Sequence, residues 1–132
     1  MNTQEAYRRY RGTTGNYIKL RFERNTNPVY KEMFDALLKG VKKNQNVKVP
    51  IYRGLSQRAP EGQNSLAKKF LNSVKNPGNK YTNNSFASFS NNNYRARQFA
   101  GAGGPIMKLE PGKYNSINKK YLGGDAFERE TT

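Results

Sequence analysis

The 132-residue chain contains no cysteine and no histidine. Together these absences exclude disulfides, thiol nucleophiles, Ser-His-Asp triads and the usual zinc sites. Acid–base chemistry must therefore use Asp, Glu, Lys or Tyr. The redox compartment stays open, because a cysteine-free chain suits either. Acidic residues are scarce as well, nine against 24 Lys and Arg, for a net charge of +15. That imbalance draws the chain to something acidic: nucleic acid, an acidic protein, an anionic surface or a phosphorylated cofactor. No apolar run approaches the roughly 18 residues of a membrane span. The start, Met1-Asn2-Thr3-Gln4-Glu5, has no signal-peptide pattern. The expectation is a cytoplasmic monomer with no membrane association.

Hydrophobic residues are few, at 34%, but aromatics are 12% and supply large buried areas. The length suits one domain, residues 1–132, with polar, Asn-rich loops. Residues 3–11 can start a helix with Thr3 as cap, Gly12 and Gly15 bracket a turn, and 16–24 form another short helix. The clearest helix spans 28–40: Asn27 caps it and Pro28 takes the first position. Tyr30, Phe34, Leu37, Leu38 and Val41 recur at helical spacing, and Gly40 ends it. A loop at 42–46 and a strand at 47–53 follow, with Pro50 marking an edge or bulge. A helix over 65–74 has Ser65 as cap and Leu66, Phe70, Leu71 and Val74 inward. Residues 76–79 make a turn, 84–90 a strand, and Asn91-Asn92-Asn93 caps a helix over 94–100. Gly101 to Gly104 connects to strands at 105–110, 113–118 and 126–131. Helices first and mostly antiparallel strands after give an α+β class.

Three separated motifs carry chemistry. Tyr52-Arg53-Gly54 places an arginine at a strand end, and its planar donor fork matches a diphosphate. Ser85-Phe86-Ala87-Ser88-Phe89-Ser90, read as a strand, shows Ser88 and Ser90 on one face, where hydroxyls can fix a carboxylate rotamer. Phe127-Glu128-Arg129-Glu130 puts two carboxylates on one strand face, and like charges that close usually serve a cationic ligand, a proton or a chemical step. Taken singly, each is more often an ordinary surface feature than a site.

In that order the three motifs resemble the Arg–Ser–Glu class of mono-ADP-ribosyltransferases, which includes clostridial binary toxin components, vertebrate ecto-transferases and phage Alt and Mod enzymes. Ala96-Arg97-Gln98-Phe99-Ala100 resembles the family's next short helix. Ile106-Met107-Lys108-Leu109-Glu110-Pro111-Gly112 resembles its following strand and Pro-Gly turn. The likeness covers roughly residues 10–132. It departs in two places. Phe89 stands where the family has Thr, and the chain stops two residues after Glu130, which leaves open a fragment, a compact natural variant or one half of a processed protein.

The resemblance implies an ADP-ribosyltransferase-like fold, with N-terminal helices packed on two facing sheets and NAD in the cleft between them. NAD is then a substrate and no metal is needed. Catalytic roles fall to Glu130, Glu128, Arg53 and Ser88. Arg53, Gly54, Ser88, Ser90 and Phe99 hold NAD, and Glu128, Phe127 and Tyr121 meet the acceptor. Glu130 accepts from the nicotinamide-ribose hydroxyl and stabilises the oxocarbenium-like sugar, while Ser88 orients it. A Glu at position 128 goes with arginine acceptors in the family. The Asn91–Asn93 and Gly101–Gly104 stretches are placed to close over NAD. The implied partners are proteins with an exposed arginine, including nucleic-acid-associated host proteins met by a toxin or phage effector. Three alternatives stand beside this reading. One is a basic nucleic-acid module using Tyr7, Tyr10, Tyr17, Phe22, Arg8, Arg9 and Arg11. The others are an NAD glycohydrolase with the same site, and a degenerate member that binds a partner only.

Overall fold

Three helices open the chain: α1 (Thr3–Gly12), α2 (Thr14–Glu23) and α3 (Pro28–Lys39). The computed structural model describes residues 1–12, 14–55, 61–75, 85–101, 103–122 and 130–131, with the backbone alone for 14, 15, 17, 18, 61–66, 130 and 131. Asn2, not Thr3, starts α1, because its Oδ1 accepts the Glu5 N–H at 2.8 Å. Thr3 turns inward instead, and its hydroxyl donates to the Ala36 carbonyl of α3 at 2.6 Å. With Ala6, Tyr7 and Tyr10 it forms the buried stripe of α1. Asn27 caps α3 by accepting the Val29 N–H at 3.1 Å, with Pro28 at the first turn. Met33, Ala36 and Leu37 form its buried face, whereas Leu38, expected inward, is 51% exposed. Gly40 ends α3 with φ −89°, so no left-handed residue is needed. Glycine is required there for space: a Cβ would collide with the Thr3 side chain.

The segment after α3 departs from expectation. The expected loop at 42–46 is part of a strand, β1 (Val41–Val47), and the strand expected over 47–53 is confined to β2 (Ile51–Gly54). β1 reads as a loop because a polar residue faces inward. The buried Gln45 donates to Ser116 Oγ at 2.6 Å and to the Ile117 carbonyl at 2.9 Å, and accepts the Lys119 N–H at 3.0 Å. The register shifts between Lys42 and Gln45, and Asn44 takes φ 55°, a left-handed conformation that asparagine tolerates.

The rest of the chain supplies α4 (Glu61–Lys75), β3 (Phe89–Ser90), α5 (Asn93–Ala100), β4 (Ile106–Leu109), β5 (Gly112–Ile117), a 3-10 turn (Lys119–Tyr121) and β6 (Glu130–Thr131). α4 starts four residues before the expected Ser65 cap. Its buried contact comes from Ala67 and Phe70, and Val74, expected inward, is 60% exposed. The expected turn at 76–79 lies outside the described residues, as does most of the last expected strand. β3 is shorter than the 84–90 expected: residues 86–88 are described and lie outside the ladder.

Two antiparallel sheets result. One pairs β1 with β5, and the other has the order β4-β2-β3-β6. The molecule is therefore a mixed helix-and-strand, α+β arrangement. A first core gathers Tyr7, Tyr10, Leu20, Leu37, Val47, Ile51 and Ile117 between the helices and strands. A second, smaller core joins Leu55, Ala67 and Met107, flanked by Phe70 and Phe89. No helix among the described residues is long and apolar enough to cross a membrane.

Candidate active site

The sheet order places the three motif-bearing segments side by side, because β3 lies between β2 and β6. Tyr52 pairs with Lys108 on one side and Ser90 on the other, and Ser90 pairs with Glu130. One row, Lys108–Tyr52–Ser90–Glu130, thus crosses all four strands. Strands lie about 4.8 Å apart, so Tyr52 and Glu130 are separated by roughly 10 Å along the row.

Arg53 stands one residue beyond that row. It is half-buried and pairs with Met107 in the register of β2 and β4. Side-chain alternation puts it on the face opposite to Tyr52. The structure therefore brings the Arg, Ser and Glu segments onto neighbouring strands without bringing Arg53 into line with Ser90. Gly54 closes β2 beneath α5. A Cβ there would collide with the Ala96 carbonyl oxygen and lie 2.6 Å from the Ala100 nitrogen. Its missing side chain is what lets α5 sit against β2.

The Ser-x-Ser segment is fixed from behind. Phe86 meets Phe34 edge-on, with ring centroids 5.3 Å apart, and both pack on the first core. The Tyr10 hydroxyl lies 3.1 Å from Ser88 Oγ, where either can donate, and 3.4 Å from the Phe86 carbonyl. Ser88 itself is an exposed residue, and its hydroxyl is held in a part-buried contact with Tyr10. Ser90 Oγ accepts the Asn92 N–H at 3.1 Å. Asn92 in turn caps α5, accepting from Tyr94 and Arg95 at 2.9 and 3.3 Å. The Asn91–Asn93 run is thus tied into a helix start, directly after the serines.

Other expected residues are scattered more widely. Phe99 is 66% exposed on the outer side of α5. Tyr121 packs on the first core, with the Lys120 ammonium 5.1 Å above its ring. Phe127 and Glu128 lie outside the described residues. Glu130 is described by its backbone pairing. Among the described residues, no three acidic side chains gather where they could share a metal ion. The alternative nucleic-acid surface meets a direct correction: Tyr7 and Tyr10 are 3% and 4% exposed and belong to the first core, so neither ring can stack on a base. Tyr10 is also the residue that sequence reasoning misplaced. The spacing of Thr3, Ala6, Tyr7 and Tyr10 marks an inward helix face, and that signal points to packing and to contact with Ser88.

Compared with known proteins, the chain matches no family model, no curated protein and no solved structure.

Proposed function

We propose that this protein is an NAD-dependent protein-arginine mono-ADP-ribosyltransferase, with the ADP-ribosyltransferase-like arrangement of two facing sheets around an NAD cleft. One observation carries the reading: segments bearing Arg, Ser-x-Ser and Glu, with Arg53, Ser90 and Glu130 spaced 37 and 40 residues apart in the chain, occupy adjacent strands, with Ser90 and Glu130 directly paired. In this reading Glu130 accepts a hydrogen bond from the nicotinamide-ribose hydroxyl. It stabilises positive charge at the anomeric carbon as the bond to nicotinamide breaks. The electron pair leaves with the nicotinamide ring nitrogen, which becomes neutral. A guanidinium nitrogen of the acceptor forms the new bond, and Glu128 takes its proton. Arg53, on the sheet face opposite the Ser90–Glu130 row, reaches the diphosphate around the end of β2. Ser88, held by Tyr10, orients the catalytic carboxylate. The surplus of cations favours acidic or nucleic-acid-associated acceptors.

The test is label transfer from NAD to an arginine-rich acceptor, with nicotinamide release followed in parallel. Glu130→Gln should lower both by roughly 100- to 1,000-fold, the scale of losing a group that stabilises developing charge. Arg53→Ala should raise the NAD concentration needed for half-maximal rate. Nicotinamide release without transfer would assign a glycohydrolase. Equal labelling by wild type and Glu130→Gln would sink the reading.

A further inference from the structure

The outer face of α5 has the make-up of a single-strand nucleic-acid platform. Ala96 and Ala100 are buried, which fixes the orientation of this eight-residue helix. Tyr94 and Phe99, 68% and 66% exposed, are the two most exposed large hydrophobic residues among those described. Arg95, Arg97 and Gln98 are exposed as well. At about 100° per residue, the outward arc reads Arg97, Tyr94, Gln98, Arg95, Phe99, a cation beside each ring. A solvent-facing helix ordinarily mixes charges of both signs and hides its aromatics. Here the chain from Gly62 to Leu109 has no Asp or Glu at all, so the stretch of sequence that carries α5 has charges of one sign only.

We infer that this face binds single-stranded RNA or DNA, with Tyr94 and Phe99 stacking on bases and Arg95 and Arg97 neutralising phosphates. Rings interleaved with cations favour single strands over duplexes, because stacking needs unpaired bases. They also favour nucleic acid over an acidic protein, whose carboxylates would use the arginines and leave both rings in water. The surface differs from the N-terminal one read from sequence, whose Tyr7 and Tyr10 are buried. It needs no catalysis and stands whether or not the chain turns over NAD.

The experiment is fluorescence anisotropy of a short labelled oligouridine, without NAD, over a series of salt concentrations. Tyr94→Ala and Phe99→Ala should each weaken binding about fivefold or more. Arg95→Gln with Arg97→Gln should flatten the plot of log affinity against log salt by roughly 0.7 per cation. The control is Lys42→Gln with Lys43→Gln, exposed positions of β1 in the other sheet. It should have much the smaller effect. Circular dichroism checks that each variant is folded, which these exposed positions should permit. Equal losses from the β1 and α5 pairs would overturn the proposal, since binding would then follow net charge alone. Duplex or polyglutamate binding as tight as oligouridine, and indifferent to Tyr94 and Phe99, would overturn it too.

Discussion

The two cores of this molecule are built to different standards. Around the first, α1–α3 and the β1–β5 pair enclose Leu20, Leu37, Ile51 and Ile117, all essentially fully buried. Its buried amide, Gln45, has partners for both its nitrogen and its oxygen. The second core rests on Leu55, Ala67 and Met107, and nearby helices leave Val74, Tyr94 and Phe99 in solvent. The motif-bearing strands lie beside this thinner core. Regions with fewer buried apolar contacts open at lower free energy, and binding segments are drawn from that end of the range. What steadies the serines is borrowed from the first core, through Phe86, Tyr10 and the buried Ile51 of β2.

The largest expected effect tests that asymmetry. Leu37→Ala removes a side chain with 0% exposure from the middle of the first core. It should cost roughly 2–5 kcal/mol, toward the upper end because packed helices collapse poorly around a cavity. Met107→Ala, at 8% exposure beside the small Ala67, should fall at the low end of that range. Urea unfolding of both variants measures the difference. A larger loss for Met107→Ala would reverse the ranking of the two cores.

A smaller effect probes the link between them. Tyr10→Phe keeps the buried ring and removes the hydroxyl that meets Ser88 and Phe86. The global cost should be about 0.5–1.5 kcal/mol, the usual net value of one hydrogen bond. Its distribution is the more telling result. Amide exchange at Ser88–Ser90 should accelerate more than exchange within α1, because α1 keeps its apolar stripe. Under the proposed function, NAD turnover should fall in kcat, and the thermal midpoint should drop by roughly a few degrees. Uniform acceleration across both regions would show that the serines do not depend on this contact.

The difference between the cores also explains what could be read in advance. α3 was legible because cap, proline and apolar spacing agree from Asn27 to Lys39. β1 was not: its inward positions include Gln45, whose burial depends on partners more than 70 residues away. The motif strands were legible as motifs, since their order along the chain can be read directly. Their pairing could not be read from local pattern, because β3 contributes only Phe89 and Ser90 to the ladder. The offset of Arg53 from the Ser90 row depends on that register, which no local propensity sets. Leu38 and Val74 have the spacing of inward residues yet are 51% and 60% exposed, because spacing alone does not say whether another element covers that part of the helix.

The smallest effect expected is electrostatic and confined to the first region. The N-terminal ammonium donates to Glu32 Oε1 at 2.7 Å. That hydrogen bond, then the charge of the same ammonium and of Arg9, holds the Glu32 carboxyl below its ordinary value despite a small opposing effect of desolvation. A carboxyl more acidic in the folded than in the unfolded chain stabilises the fold above its unfolded pKa, near 4.3. That contribution is lost as pH falls through the folded value. Glu32→Gln should therefore lower the thermal midpoint slightly at neutral pH, and the gap from wild type should close in acid. The carboxylate is more than half exposed, so salt should shrink the gap as well. Exchange at Phe89 and Ser90 should not respond, because the pair touches only α3 and the chain start. A gap that persists in acid would trace the loss to packing of Met1 on the first core rather than to charge.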